Sequence, residues 1–283
     1  MGGDSLLMGA VAYDPKVVTI WDGFRQWFRD HGLEFDYVLY SNYERQVEEL
    51  VAGRLDAAWN SPLAWLRAQR LAQASGRRVA ALVMRDSDCD LTSVVVVRAD
   101  APFAGLADLD GATVGVGAVD SPQATLLPLA HLRAAGVTPA VRRFDVGVGL
   151  HGDHVGGERA AAKALLAGEV DAACMVDGNH LLFAQEGTLV AGATRVLAQT
   201  GSYDHCNMTA LDPGRSHTAV DRFRRLLLGM DYGDPAVRPL LDLEGLKRWR
   251  DGRVSGYHLL EAAVDGSAFY DRKGALSAAD YRP

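Results

Sequence analysis

The sequence has few cysteines, little proline and no long apolar run. Its 3 cysteines are Cys89, Cys174 and Cys206. An odd number at wide spacing fits neither a disulfide framework nor a paired zinc motif, so it indicates reduced thiols. Gly 30 and Pro 10 in 283 residues are too few for a low-complexity chain. No stretch approaches the roughly 18 consecutive apolar residues of a membrane-spanning helix. We therefore expect a soluble globular protein without membrane insertion.

The chain also lacks an excess of basic residues. Lys+Arg 29 against Asp+Glu 36 gives a formal net charge of -7, so no basic field is available to attract a phosphate backbone or anionic lipid. Nucleic acid is therefore excluded as an expected partner. The hydrophobic fraction of 48% in 283 residues is enough for a sizeable core, and the length predicts two lobes.

The amino terminus lacks the features of a secretory leader. Residues 1–5 contain no Lys or Arg, and the apolar stretch 6–12 is short and has the pattern of a strand. The sequence as it stands therefore predicts a cytoplasmic protein. If a leader has been removed, the predicted location is periplasmic or otherwise extracytoplasmic.

A short phrase occurs twice, at residues 50–58 and 165–173. Each copy has the pattern of a helix end, a glycine and a buried strand. Gly53 and Gly168 stand just after the helical windows, where a positive φ is favourable for glycine. The repeat predicts two α/β lobes that each use this unit once.

Three predicted helices begin with a capping residue followed by proline, at Asp14-Pro15, Ser61-Pro62 and Ser121-Pro122. Each follows a predicted strand, and these strands span residues 6–12, 56–59 and 113–117. The helix starts should therefore lie at the carboxyl ends of strands, the edge at which open α/β sheets bind ligands.

Further strands are predicted at residues 35–40, 79–84, 93–98 and 141–146, because β-branched residues dominate these short runs. We expect the chain to leave the first lobe near residue 100 and to return near residue 200. The tail from Val220 onward should form a helix that packs on the first lobe. The predicted domains are thus lobe one, residues 6–100 plus 200–283, and an inserted lobe two, residues 101–199.

The sequence resembles a known family at residues 11–15, 60–65, 92–98, 120–125 and 165–177. The family is the phosphate/phosphonate-type solute-binding proteins of ABC transporters, and the resemblance covers about residues 6–215. It implies a two-lobed type 2 periplasmic-binding-protein-like fold with a hinge and an inter-lobe cleft. It also implies that the cleft closes around a small anionic or zwitterionic solute, that no cofactor is needed, and that an ABC permease is the partner if the protein is exported.

The resemblance assigns ligand contacts position by position. The residues implied are Tyr13, Asn60, Ser61, Ser121, Gln123, Thr125 and Asp177. Ser121 and Thr125 have support from the residues themselves, because a helix start offers free N–H groups to an oxyanion. The alternative is that Ser121 is an ordinary helix cap. Asn179 and His180 follow the same strand as Asp177 and are further candidates.

Histidines depart from the family pattern in two places. His151 and His154 lie in a glycine-rich loop, and His205 precedes Cys206. The topology predicts that all three histidines converge on the cleft, where they would contact the solute. Solvent-exposed loop histidines are the alternative, and a divalent metal on His151, His154, His205 and Cys206 is another.

A different class of function also fits the sequence. Related folds serve as intracellular enzymes in cofactor or small-molecule biosynthesis, and here the histidines and Cys206 would take part in the chemistry, with or without a metal. A catalytic cysteine is one form of this hypothesis, because a neighbouring imidazole favours the thiolate. A small thiol buried in the cleft wall is the simpler interpretation.

Overall fold

A computed structural model describes residues 5–145, 154–214 and 216–283, and it confirms the α/β class. The strands are β1 (Ser5–Val11), β2 (Glu34–Tyr40), β3 (Ala57–Asn60), β4 (Arg78–Arg85), β5 (Ser93–Arg98), β6 (Thr113–Val116), β7 (Ala140–Arg143), β8 (Ala172–Val176), β9 (Thr194–Gln199), β10 (Asn207–Asp212) and β11 (Trp249–Asp251). The helices are α1 (Lys16–Asp30), α2 (Tyr43–Val51), α3 (Pro62–Ala74), α4 (Leu127–Ala134), α5 (His154–Leu166), α6 (Asp177–Gln185), α7 (His217–Leu228), α8 (Arg238–Glu244) and α9 (His258–Ser267). None of the described helices is long and apolar enough to cross a membrane.

The first sheet has six strands in the order β11-β4-β10-β3-β1-β2. Strands β1, β2 and β3 are parallel, whereas β10 runs antiparallel to β3 and β4. Helix α1 buries Val17, Phe24 and Phe28 at helical spacing, and they share one apolar cluster with Phe223 of α7. Helix α7 of the C-terminal tail thus packs on the first sheet as predicted, whereas α9, later in the tail, packs against both α3 and the Leu126–Leu127 segment at the start of α4.

The second sheet has five strands in the order β7-β6-β8-β5-β9. Strand β5 is buried on both faces: Val94 and Val96 pack with α5, and Val95 and Val97 pack with Leu132 of α4. A strand with two apolar faces needs helices on both sides, and β5 has them in its position between β8 and β9. The predicted division assigned this strand to lobe one. The predicted lobe boundaries, residues 6–100 plus 200–283 for lobe one and 101–199 for lobe two, stay a prediction.

The chain crosses between the sheets twice, once after β4 and once before β10. The two crossing segments meet at an antiparallel bridge between Leu91 and Tyr203. Each residue donates its N–H to the carbonyl of the other at 2.8 Å. The Tyr203 hydroxyl lies 2.8 Å from Ser93 Oγ, so this hydrogen-bonded ribbon is continuous with the second sheet.

The repeated phrase forms the same unit in both sheets. Helix α2 leads through Gly53 (φ 76°) to β3, and α5 leads through Gly168 (φ 72°) to β8. Both glycines have the left-handed conformation that ends a helix at low cost. The prediction from the repeat is confirmed.

Two of the three predicted helix starts are confirmed in detail. Ser61 Oγ accepts a hydrogen bond from Ala64 N at 3.2 Å, and Ser121 Oγ accepts one from Ala124 N at 3.2 Å. After Ser121 the first turn, Pro122–Leu126, is a π-turn that continues into α4. Helix α1 instead begins one residue later than predicted, at Lys16, whose N–H donates to Asp14 Oδ1.

Candidate functional site

A cavity of about 460 Å³ lies where the carboxyl ends of strands from both sheets face each other. The first sheet contributes Tyr13 after β1, Ser61 after β3 and Arg85 at the end of β4, and the second contributes Gln123 after β6 and His154 at the start of α5. The remaining lining residues are Asp14, Lys16, Tyr43, Trp59, Pro62, Pro122, Val155, His205 and Cys206. This edge is where open α/β sheets bind ligands.

Five of the predicted contact residues line this cavity: Tyr13, Ser61, Gln123, His154 and His205. They come from both sheets, and they surround one volume although their sequence positions are far apart. Whether each one contacts a solute stays a prediction. His151 lies outside the described residues.

Asn60 does not line the cavity, because its side chain is fully buried within the first sheet. Its Oδ1 accepts a hydrogen bond from Gln46 Nε2 at 2.8 Å, and its Nδ2 donates to Thr209 Oγ1 at 2.9 Å. These bonds join β3 to α2 and β10, so Asn60 stabilises the end of β3, where its neighbours Trp59 and Ser61 line the cavity.

Ser121 and Thr125 use their hydroxyls within the protein. Ser121 is fully buried and caps its helix, and Thr125 donates to Ala118 O at 2.7 Å. Thr125 lines a different cavity, of about 500 Å³, which Phe269 and Asp280 also line. The residues of the Ser121 turn that line the 460 Å³ cavity, called the main cavity below, are therefore Pro122 and Gln123.

Asp177 begins α6 and is not among the lining residues. Its Oδ2 accepts a hydrogen bond from Thr92 Oγ1 at 2.8 Å, and its Oδ1 accepts one from Gly178 N at 2.7 Å. The neighbouring candidate Asn179 donates from Nδ2 to Glu158 Oε2 at 2.8 Å. His180 contacts Thr194 Oγ1 at 3.1 Å, and burial lowers its pKa.

Glu158 of α5 is a fully buried carboxyl that the sequence analysis did not single out. Its Oε2 accepts hydrogen bonds from Asn179 and from Val176 N, whereas its Oε1 has no hydrogen-bond partner among the described residues. Burial raises the pKa of Glu158 to about 7, and the two hydrogen bonds oppose this shift.

Arg85 is a cavity residue that sequence reasoning also missed. Its guanidinium donates to Asp88 from Nε (2.5 Å) and Nη2 (3.0 Å), lies 3.3 Å from Glu244 Oε1, and stands 5.2 Å from the Trp59 ring centroid. Burial alone would raise the pKa of Asp88, but Arg85 and His205 outweigh it and lower that pKa to about 2. Arg85 ends a correctly predicted strand at the ligand edge. That position in the sequence could have identified it as a candidate cavity residue.

Two tyrosine hydroxyls, one histidine and Lys16 are among the polar groups in the rest of the wall, and no ion pair of Lys16 is found in the described part of the chain. Burial raises the pKa of Tyr13 and Tyr43, so both hydroxyls stay protonated at neutral pH. Lys16 Nζ is 5.9 Å from the Tyr13 ring centroid. His154 Nε2 is 3.2 Å from Asp120 Oδ1.

Cys206 is a poor nucleophile in this setting. Burial raises the pKa of its thiol, and Asp88 raises it further. The nucleophilic form of cysteine is the thiolate, which this environment disfavours. The arrangement suits the binding of a small polar molecule rather than cysteine catalysis.

Comparison with known structures shows the fold. PhnD1 from Prochlorococcus marinus (MIT 9301), in complex with methylphosphonate, has a TM-score of 0.67 at 17% identity, with 93% of this chain and 98% of that chain covered. XAC2383 from Xanthomonas citri, bound to ATP, has a TM-score of 0.67 at 16% identity, covering 93% and 96%. The periplasmic aliphatic sulphonate binding protein SsuA from Escherichia coli has 0.53 at 18%, covering 93% and 84%. The type 2 binding-protein fold implied by the resemblance is confirmed.

Comparison with sequence families shows the function class. A search of curated protein sequences finds no match. The profile of the family described as "ABC transporter, phosphonate, periplasmic substrate-binding protein" matches residues 10–257. This match supports solute binding rather than the enzyme alternative. The chain belongs to the phosphonate substrate-binding proteins of ABC transporters, and it is a solute-binding protein of that family.

Proposed function

We propose that the 460 Å³ cavity binds a small phosphonate-like oxyanion between the starts of two helices. The observation that carries the proposal is that Ser61-Pro62 of the first sheet and Pro122-Gln123 of the second both line this one volume. Helix α3 and the π-turn with α4 each begin there, with the Ser61 and Ser121 side chains as caps. Backbone N–H groups and the helix dipole at such ends favour an anion.

Lys16 supplies the charge that the oxyanion needs. No ion pair of Lys16 is found among the described residues, and its side chain is exposed at the cavity wall. Arg85, in contrast, is already paired with Asp88 and Glu244. An incoming anion therefore gains more from Lys16, and the protonated Tyr13 hydroxyl donates beside it.

A zwitterionic solute is the second form that we propose for the ligand. Asp14 stands in the same wall as Lys16, and a carboxylate there can accept a hydrogen bond from an ammonium group. Solute binding by these groups needs no cofactor.

The family supports a location and a partner for this chain. Its members are periplasmic substrate-binding proteins of ABC transporters. We propose that this protein works outside the cytoplasmic membrane and delivers its solute to an ABC permease. Fractionation of the native host tests the location, and recovery from the cytoplasm alone would contradict it in favour of the sequence-based expectation.

Calorimetric titration tests the ligand assignment. We expect methylphosphonate or aminoethylphosphonate to bind with one site per chain, and Lys16→Ala to weaken the affinity about tenfold or more, the scale of a lost charged hydrogen bond. The matched control is Lys273→Ala, which removes an exposed lysine outside the cavity and should leave the affinity unchanged. Equal affinity in parent and Lys16→Ala would reject the proposed role of Lys16. Absence of binding by both phosphonates, inorganic phosphate and methanesulfonate would reject the ligand class.

A further inference from the structure

We propose that Asp88, His205 and Cys206 form a binding site for a divalent transition-metal ion of the zinc class, held through Asp88 Oδ1, His205 Nδ1 and Cys206 Sγ. This goes beyond solute binding, which the helix starts and Lys16 support without a metal. The three residues offer one carboxylate oxygen, one imidazole nitrogen and one thiol sulfur, all within 4.8 Å of one another.

The fold brings these residues together through the pairing of β4 with β10. Asp88 ends the short helical turn that follows β4, and His205 and Cys206 directly precede β10. Because the two strands are antiparallel neighbours, the end of one meets the start of the other. A backbone hydrogen bond from His205 N to Asp88 O, 2.8 Å long, fixes the two segments against each other.

Two of the three separations between the ligand atoms are close to those of a metal-centred tetrahedron, and the third, between Asp88 and Cys206, is within 4.8 Å. His205 Nδ1 is 3.1 Å from Cys206 Sγ and 3.4 Å from Asp88 Oδ1. Bonds of roughly 2.0–2.3 Å to a tetrahedral zinc ion place its ligand atoms roughly 3.3–3.8 Å apart. Only small side-chain shifts are needed to admit the ion.

The other ring nitrogen of His205 lies near an oxygen acceptor that can orient a metal-bound imidazole. His205 Nε2 lies 3.4 Å from Gln123 Oε1. When Nε2 carries the proton and donates to this oxygen, Nδ1 keeps its lone pair for the metal. Gln123 follows β6 of the second sheet, so the imidazole is oriented from across the cavity.

Charge and access also suit a dication. Asp88 and Glu244 are both paired with Arg85, so two carboxylates and the Cys206 thiolate together balance the guanidinium and a dication. Cys206 gives up its thiol proton to solvent when the metal binds. Arg85 donates one hydrogen bond to each Asp88 oxygen, which leaves Oδ1 a second lone pair. His205 and Cys206 line the cavity, so a fourth position faces it.

The donor set selects the kind of metal. Thiolate and imidazole favour zinc and its neighbours, whereas magnesium and calcium prefer oxygen ligands throughout. We therefore expect zinc and cobalt(II) to bind and magnesium not to compete at equal concentration.

The test uses untagged full-length protein that has been stripped with a chelator, in the absence of any phosphonate. Competition of zinc with a chromophoric chelator should give one site per chain, and cobalt(II) should show a thiolate-to-metal charge-transfer band. Cys206→Ser should abolish that band and weaken zinc binding at least tenfold, and His205→Ala should weaken zinc binding similarly. The matched control is Cys89→Ser, because Cys89 Sγ donates to Arg85 O and is not one of the three ligands.

Three outcomes would overturn the metal site. They are no zinc binding by the parent at micromolar concentration, loss of the band in Cys89→Ser, and parent-like binding by His205→Ala. Circular dichroism shows whether each variant is folded, and His205→Ala decides the question if Cys206→Ser does not fold. Phosphonate titrations of the stripped protein are a separate measurement, so failure of the metal site leaves the proposed solute function to be judged by its own data.

Discussion

The guanidinium of Arg85 donates to both carboxylate oxygens of Asp88, at 2.5 and 3.0 Å. Asp88 is almost fully buried and Arg85 largely so. A buried carboxylate with an ionic partner stays charged, and the pKa of Asp88 is lowered to about 2 accordingly. Removal of either partner leaves the other charge buried without compensation.

Arg85→Ala should therefore lower the free energy of unfolding by about 3 to 5 kcal/mol, the cost of breaking a buried ion pair from one side. Urea denaturation at neutral pH measures the effect. The matched control is Arg78→Ala, which removes an exposed ion pair with Asp212 and should cost about 1 kcal/mol or less. Equal losses in the two variants would show that the Arg85 pair contributes no more than a surface pair.

Glu158→Gln should change how stability depends on pH. The pKa of Glu158 is raised to about 7 in the folded protein from an ordinary 4.5, so the folded state binds its proton more tightly than the unfolded state. The contribution of Glu158 to the free energy of unfolding is therefore fully present below about pH 4.5 and is lost as the pH rises to about 7. The variant should lack that loss, which amounts to about 3 kcal/mol at most.

Unfolding in urea between pH 4.5 and 8 measures the Glu158 prediction. The variant minus parent difference should grow in favour of the variant across this range. Glu34→Gln, at an exposed position, is the control and should follow the parent. A constant difference between Glu158→Gln and the parent would contradict the raised pKa.

Ser121→Ala and Ser61→Ala form a matched pair. Each serine caps a helix through a 3.2 Å hydrogen bond, but only Ser61 lines the main cavity. Both variants should lose about 1 kcal/mol of unfolding free energy, the ordinary cost of a lost cap. Calorimetry with methylphosphonate should show weaker binding only for Ser61→Ala. Weaker binding by Ser121→Ala instead would restore Ser121 as a ligand contact.

Phe223→Ala should be strongly destabilising because it removes a shared aromatic contact of the first core. The Phe223 ring centroid is 5.0 Å from that of Phe28 and 5.7 Å from that of Phe35, and the side chain is fully buried. We expect a loss of about 3 to 5 kcal/mol in urea unfolding. Leu181→Ala, at a 65% exposed position of α6, is the control and should stay within about 0.5 kcal/mol of the parent.

Local patterns were sufficient to predict most elements of this fold. The repeated phrase located α2, β3, α5 and β8 because a glycine with positive φ leaves a clear signal between a helix and a strand. The serine-proline pairs located α3 and the start of the α4 segment, because helix capping is also a local interaction. Sheet membership of β5 depended on packing partners distant in sequence, which no local pattern contains.

The site was only partly predictable for the same physical reason. The family resemblance identified Tyr13 and Ser61, and the predicted strands placed both at the ligand edge, because that edge follows from where a strand ends. Whether a polar side chain then faces the cavity depends on what else it can bind. Asn60 is satisfied by Gln46 and Thr209, and such long-range pairing is not visible in the sequence. Arg85 was missed because its partners, Asp88 and Glu244, meet only in the folded chain.

The ribbon formed by Leu91 and Tyr203 determines how the two sheets can move. Because backbone hydrogen bonds join the two crossing segments, a rotation of one sheet must change the dihedral angles of both segments together, about one shared axis. His205 follows Tyr203 by two residues, so this wall of the cavity lies near the axis and is displaced least. His154, on α5, is carried with the second sheet and travels farther. A rotation about this axis would therefore change the width of the cavity by moving its α5 wall, while the hydrogen bonds beside Cys206 would stay nearly constant.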